Sequence, residues 1–143
     1  MRSMFLAWQT WAVLSAVFAA LTAIFAKVGV AGINSDFATF VRTIVVIVAL
    51  GGLLAATGQW QWPTEVSARS YVFLVLSGLG TGASWLCYFR ALQLGDAARV
   101  APIDKLSVVF VAVFAVIFLG ERLAALNWLG IALIGTGAVL VAL

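Results

Sequence analysis

Apolar residues occur along this chain in five long runs, separated by short stretches rich in glycine, charged and hydroxyl residues. The runs cover about Phe5–Phe25, Phe37–Ala56, Tyr71–Phe89, Ala101–Leu119 and Leu126–Leu143. Each approaches the roughly 20 residues a helix needs to cross the ~30 Å hydrocarbon core of a bilayer. A barrel strand would need about ten residues of strict alternation, which none of the runs has. The pattern predicts an all-α membrane protein of five transmembrane helices, one domain over residues 1–143. The start, Met1-Arg2-Ser3-Met4 and then an apolar stretch, has the look of a signal peptide. That stretch is long enough to span and is followed by more of the same, so it is expected to be the first span.

The connections carry helix punctuation. In "KVGVAGINSD", Gly29 and Gly32 stop the first helix, and Asn34, Ser35 or Asp36 caps the second. "TGQWQWPTEVSARS" sets Trp60 and Trp62 where an interfacial aromatic belt belongs, with Pro63 suited to open the third helix. "LGDAARVAP" offers Gly95 as a C-cap and Asp96 as an N-cap, and Gly120, Glu121 and Arg122 join the fourth and fifth spans. Loops this short make consecutive helices antiparallel neighbours in a compact bundle.

Composition agrees with the pattern and narrows the function. The 143 residues are 65% hydrophobic and 9% charged, with mean hydropathy +1.18. A soluble domain carries about 25% charged residues, so too little polar surface is present to cover a globule in water. Net charge is +3 and the pI near 9.6, yet the charges sit at the ends of apolar runs. No basic cluster able to hold nucleic acid is formed. Cys87 is the single cysteine and histidine is absent, which removes disulfides, imidazole catalysis and histidine metal sites. No nucleophile–base pair, facing carboxylates or phosphate-cradling glycine loop occurs, so no catalytic residue, metal or cofactor is expected.

The basic residues are nearly balanced across the membrane. Arg2, Arg69 and Arg122 fall on the N-terminal side, while Lys27, Arg90 and Arg99 fall on the other, joined by Arg42 and Lys105 just inside helix ends. The positive-inside rule then gives a tie or a slight preference for the second side in the cytoplasm. A near tie permits insertion in both orientations; the alternative is that the two extra charges fix one. Small residues are spaced for close helix contact at Gly78 and Gly82, at Gly51/Ala55 and Gly52/Ala56, and at Gly130, Gly135 and Gly137. Packing within the chain is the ordinary use of such faces, and a dimer seam is the sharper one.

Charges inside the spans are the strongest candidates for function. Asp104 and Lys105 stand 17 and 16 residues before Glu121, or about 24–26 Å along a helix, which puts them slightly inside the far interface. Arg42 lies six residues beyond Asp36, about 9 Å into the second span. Counting spans puts Arg42 and Asp104 on the same membrane face at similar depth. A carboxylate and a guanidinium there invite pairing, because either one alone costs several kcal/mol. Lys105, about 100° further round the helix, would then snorkel or enter a polar cavity. The competing reading has both basic residues snorkelling and Asp104 acting as a cap. Pro102 frees a carbonyl and allows a bend just before them. In "SWLCYFR", Ser84 and Tyr88 share one face and are candidates to line a path; interfacial anchoring by Tyr88 and Arg90 is the alternative.

The segment "RVAPIDKLSVVFVAVFAVIFLGERLAALNWLGIALIGTGAVLVAL" resembles the second half of an EamA-type repeat of the drug/metabolite transporter superfamily. The matching features are Pro102, the apolar run ending in Gly120-Glu121, and the glycine-rich last helix with Gly130, Gly135 and Gly137. "ALTAIFAKVGV" and "FATFVRTIVVIVAL" resemble the first two helices, Arg42 included. The resemblance implies one half of an inverted-repeat transporter, since typical members carry two such repeats of opposite orientation around a central path. A lone repeat implies a partner in the bilayer: a second copy in opposite orientation, or a similar paired chain. The four-helix multidrug members place a glutamate in their first helix for proton exchange, and the first span here has no acidic residue.

The resulting expectation is a transporter of small metabolites or amphiphiles, working by alternating access as a dimer in a bacterial or archaeal cytoplasmic (inner) membrane. Arg42, Asp104, Lys105, Ser84 and Tyr88 would line the path, and Gly78, Gly82, Gly130 and Gly135 would serve helix packing. The alternatives are a flippase for lipid or lipid-linked sugar, and a membrane scaffold subunit that moves nothing.

Overall fold

The computed structural model describes residues 8–143; Arg2 and the expected start of the first span at Phe5 lie outside them. Among the described residues there is no strand, and the helices are α1 (Trp8–Gly29), α2 (Ser35–Thr57), α3 (Ala68–Leu94), α4 (Ala97–Asp104), α5 (Ser107–Phe118) and α6 (Ala125–Ala142). Five helical stretches are long and apolar enough to cross a bilayer: α1, α2, α3, α4 with α5, and α6. Their outward faces are mostly apolar. On α5, for instance, Phe110, Phe114 and Phe118 form an exposed ladder at i, i+4 spacing, with ring centroids 6.5 and 5.9 Å apart. In water such a surface would be untenable, and in lipid it costs nothing.

The helix ends show why the elements stop where they do. Asn34 caps α2, its side-chain oxygen accepting from the Asp36 and Phe37 N–H groups at 2.9 and 3.0 Å. Those are donors that no helical carbonyl can reach. Pro63 does not open α3 as its position suggests. It begins a 3₁₀ turn, Pro63–Glu65, after which Val66 is extended; Ser67 then receives the Ser70 N–H at 3.1 Å. The serine hydroxyl supplies the acceptor that the start of α3 requires. At the end of α5, Gly120 takes φ 68°, which returns the Glu121 N–H to the Ala115 carbonyl at 3.2 Å. A side chain at Gly120 would strain that left-handed turn, which accounts for the glycine before Glu121.

The fourth span differs from expectation: it is two helices with a break at Lys105–Leu106. Pro102 has no N–H, and its ring crowds the preceding turn. The chain answers with i−3 bonds. Lys105 N–H reaches Pro102 O at 3.0 Å, Leu106 N–H reaches Ile103 O at 3.0 Å, and Val108 N–H reaches Lys105 O at 3.0 Å. The tightened turn re-aims everything that follows.

The chain divides into two packing units, Lys27–Gln93 and a second comprising residues up to Ala26 with Leu94–Leu143. In the first, Val30, Ser35, Ala38, Thr39, Phe89 and Leu92 are buried. The α2 positions among them are spaced i, i+3, i+4 and the α3 positions i, i+3, so each set lies on one stripe of its helix. In the second unit, α4 and α5 pack on α6, with Ala112, Ala115 and Ala138 buried. Gly135 makes the closest approach: a methyl group on it would stand 3.2 Å from Val109 Cγ2. At Gly78, Gly82 and Gly130 such a group would meet nothing within 4 Å, so those faces are open in the chain by itself.

Candidate functional site

Within the Lys27–Gln93 unit, the site is assembled where the start of α2 meets the end of α3. Two bonds tie the segments. Lys27 Nζ donates to the Leu92 carbonyl at 2.6 Å, and Gln93 Nε2 donates to the Ile33 carbonyl at 2.8 Å. The Leu92 carbonyl belongs to the last turn of α3, where acceptors lack helical partners and the dipole favours a cation. The threonines deeper in the helix are satisfied locally: Thr39 Oγ1 donates to Ser35 O at 2.9 Å and Thr43 Oγ1 to Thr39 O at 2.8 Å. Each hydroxyl's proton is thereby committed to its own helix.

One turn beyond this buried patch stands Arg42, seven residues from the start of α2 at Ser35, about 10 Å along the helix. Its guanidinium carbon lies 4.0 Å from the centroid of the Trp85 ring and 5.4 Å from that of Phe89. Tyr88 is an electrostatic neighbour. Trp85 and Phe89 are four apart and so lie on one face of α3, both rings turned to the same guanidinium. Cation–π contact of this kind contributes about 0.5–2 kcal/mol, which offsets only part of the several kcal/mol that desolvating a lone cation costs. Ser84, expected on the same path, is exposed.

The other charged group lies in the second unit, at the break between α4 and α5. Asp104 is the last residue of α4, seven residues from its start at Ala97. Asp104 Oδ2 accepts from Lys105 Nζ at 3.1 Å, with side chains 34% and 56% exposed respectively. This corrects the expectation that the two side chains diverge by about 100°. That angle holds only while the α-helix continues, and it ends at Asp104; the lysine stem then swings back to the carboxylate. The partner of Asp104 in the structure is therefore Lys105, and the partners of Arg42 are rings. Trp85 and Phe89 were not among the residues expected to line the path, although Trp85 stands in the same "SWLCYFR" stretch as Ser84 and Tyr88. Their signal was the pairing of two aromatics at i, i+4 in "WLCYF" one helix away from an arginine inside a span.

An open apolar groove of about 510 Å³ follows the break. Leu106, Val109 and Phe110 line one wall, and Gly135, Thr136 and Val139 line the other. Arg99 Nη2 donates to the Leu143 carbonyl at 2.9 Å, tying α4 to the end of α6.

Five apolar spans, one of them broken beside an ion pair, and a stacked arginine within another define a helical integral membrane protein with charged groups at membrane depth. The chain belongs to the EamA-like transporter family, whose model matches residues 6–143. It is 67% identical over 135 residues to a protein of Sinorhizobium sp. described as an uncharacterized transporter in the cobO 3′ region. The alignment covers 94% of this chain and 96% of that one, so the relative is of the same five-span size. No solved structure matches the chain.

Proposed function

We propose that the chain is half of a transporter that moves a small metabolite or amphiphile by alternating access, two half-size units enclosing one path. The observation that carries this reading is the broken fourth span. Irregular backbone and an exposed ion pair at this depth are tolerated in a bilayer only where they are covered by protein or line a water-filled cavity. Discontinuous helices with charges at the break are how transporters build sites between repeats. One five-span unit supplies a single repeat, so its complement is a second copy of opposite orientation or a similar paired chain. Arg42, Asp104 and Lys105, with Tyr88 and Ser84, line the vestibule in this reading. The membrane is the cytoplasmic one of a bacterium or archaeon, and no chemistry is performed on the substrate.

The test is flux through purified protein in liposomes. Asp104→Asn and Arg42→Gln, each with helical content retained, are expected to abolish exchange. If the doubly substituted protein exchanges every substrate the native one does, the site is misassigned. Reporter fusions at the C-terminus should be active on both sides of the membrane; activity on one side alone replaces opposed copies with a paired chain.

A flippase for lipid or lipid-linked sugar is favoured by the apolar groove along α5 and α6, which is open at its side and shaped for a hydrocarbon tail. Scrambling of labelled lipid without flux of soluble compounds would select that reading. Neither flux nor scrambling, from folded protein, would leave a scaffold.

A further inference from the structure

We infer that Arg42 and its aromatic shelf form a recognition site for an oxyanion, a carboxylate or phosphate group, so that the ligand the protein takes is anionic. The inference rests on the transport reading for its consequence, namely the substrate class, but the site itself stands on geometry.

Stacking decides which part of the guanidinium is used. The guanidinium carbon stands 4.0 Å from the centroid of the Trp85 ring, a distance at which a planar cation packs best with its flat face on the ring. The N–H donors radiate in the plane, so a covered face leaves the edge free. Among the described residues of its unit, Arg42 makes no ion pair, and the acidic residues there, Asp36 and Glu65, stand at or beyond the helix ends. The hydroxyl protons of Thr39 and Thr43 go to backbone carbonyls of their own helix, and Tyr88 is the remaining hydroxyl close enough to interact with the guanidinium. What remains is a planar fork, half-buried, fixed in orientation by Trp85 and Phe89, about 10 Å into a span. Two parallel N–H groups match the two oxygens of a carboxylate or phosphate, and low dielectric strengthens that pairing over its value in water. A cation has nothing to gain here, since it would meet Arg42 head-on.

A carboxylate or phosphate of this kind can arrive on a soluble substrate or on a lipid headgroup, and the two are separable. Protein reconstituted into vesicles of phosphate-free galactolipid is titrated with radiolabelled benzoate and with glycerol phosphate, using benzyltrimethylammonium and neutral benzamide as controls. In a second arm, native mass spectrometry reads retention of phosphatidylglycerol. Binding of the anions, lost in Arg42→Gln by at least about tenfold, assigns the site to a soluble anion. Retention of phosphatidylglycerol alone, again lost in Arg42→Gln, assigns it to a lipid headgroup. Both support the oxyanion site. Arg42→Lys keeps the charge but loses the fork, and is expected to weaken binding about tenfold; it carries the test if Arg42→Gln does not fold. Affinity unchanged in Arg42→Lys, anion and lipid binding independent of Arg42, or preferential binding of the quaternary ammonium overturns the proposal. Binding without flux would sink the transport reading and leave this site standing. Flux of cations without anion binding would do the reverse.

Discussion

The contact between α2 and α3 and the contact between α5 and α6 use helical spacing alike but are made of different material. At the first, Arg42 lies on the Trp85 ring, and polar bonds flank it: Lys27, near the end of α1, on the Leu92 carbonyl, and Gln93 of α3 on the Ile33 carbonyl in the loop that leads into α2. At the second, the closest approach is a glycine against a valine methyl, with an apolar groove open beside it. Hydrogen bonds have directions and distances, so they fix the register of one helix on another. Dispersion has no direction and is short-ranged, and in lipid no hydrophobic drive supplements it, so such a pair depends on the close approach of small residues. The polar contact is thus suited to hold a charged group in a set orientation, and the apolar one to slide or open.

Substitutions can break that contrast or sharpen it. The largest effect is expected from Trp85→Ala, which removes the ring beneath Arg42 and a half-buried side chain together. It should destabilise by about 3 kcal/mol in equilibrium unfolding from mixed micelles. Trp85→Phe, which keeps a ring face, should recover most of this, and a full loss in Trp85→Phe would show that the contact depends on the indole rather than on stacking. Next comes Gly135→Leu, whose side chain would drive into Val109. A cost of about 2 kcal/mol is expected, relieved by Val109→Ala, whereas Gly82→Leu, facing open space in the chain, should cost under about 0.5 kcal/mol. Equal costs at the two glycines would remove the distinction drawn for α6. Asn34→Ala deletes the cap of α2 and should cost about 1 kcal/mol, with amide exchange at Asp36 and Phe37 rising first. The smallest effect belongs to Lys105→Gln. Its pair with Asp104 is well exposed within the chain, so stability should change by no more than about 0.5 kcal/mol, while flux through the assembled transporter should fall. Stability lost on the scale of Trp85→Ala would instead make Lys105 a structural residue.

Much of the architecture was legible before any coordinates. Apolar run length gave the spans, because the hydrocarbon core sets a length and tolerates few charges. Asn34 and Gly120 marked helix ends, because the unpaired groups there call for a side-chain oxygen or a left-handed turn. The third span ran longer than its apolar run, by three residues at its start and five at its end, since helix continues through polar residues until something stops it. Candidate charges could be named for the same reason that they are rare in lipid.

What the sequence could not settle was partnership. Arg42 was expected to seek a carboxylate, and it lies on Trp85 and Phe89; Lys105 was expected to leave Asp104, and it binds it. Both outcomes depend on where helices cross and where one of them breaks. Span length, orientation and capping are one-dimensional properties, fixed by neighbours in the chain and by the bilayer. Which ring lies under a guanidinium is decided by the meeting of two helix faces more than forty residues apart, and by a proline turn that cancels the helical angle on which the sequence reading relied.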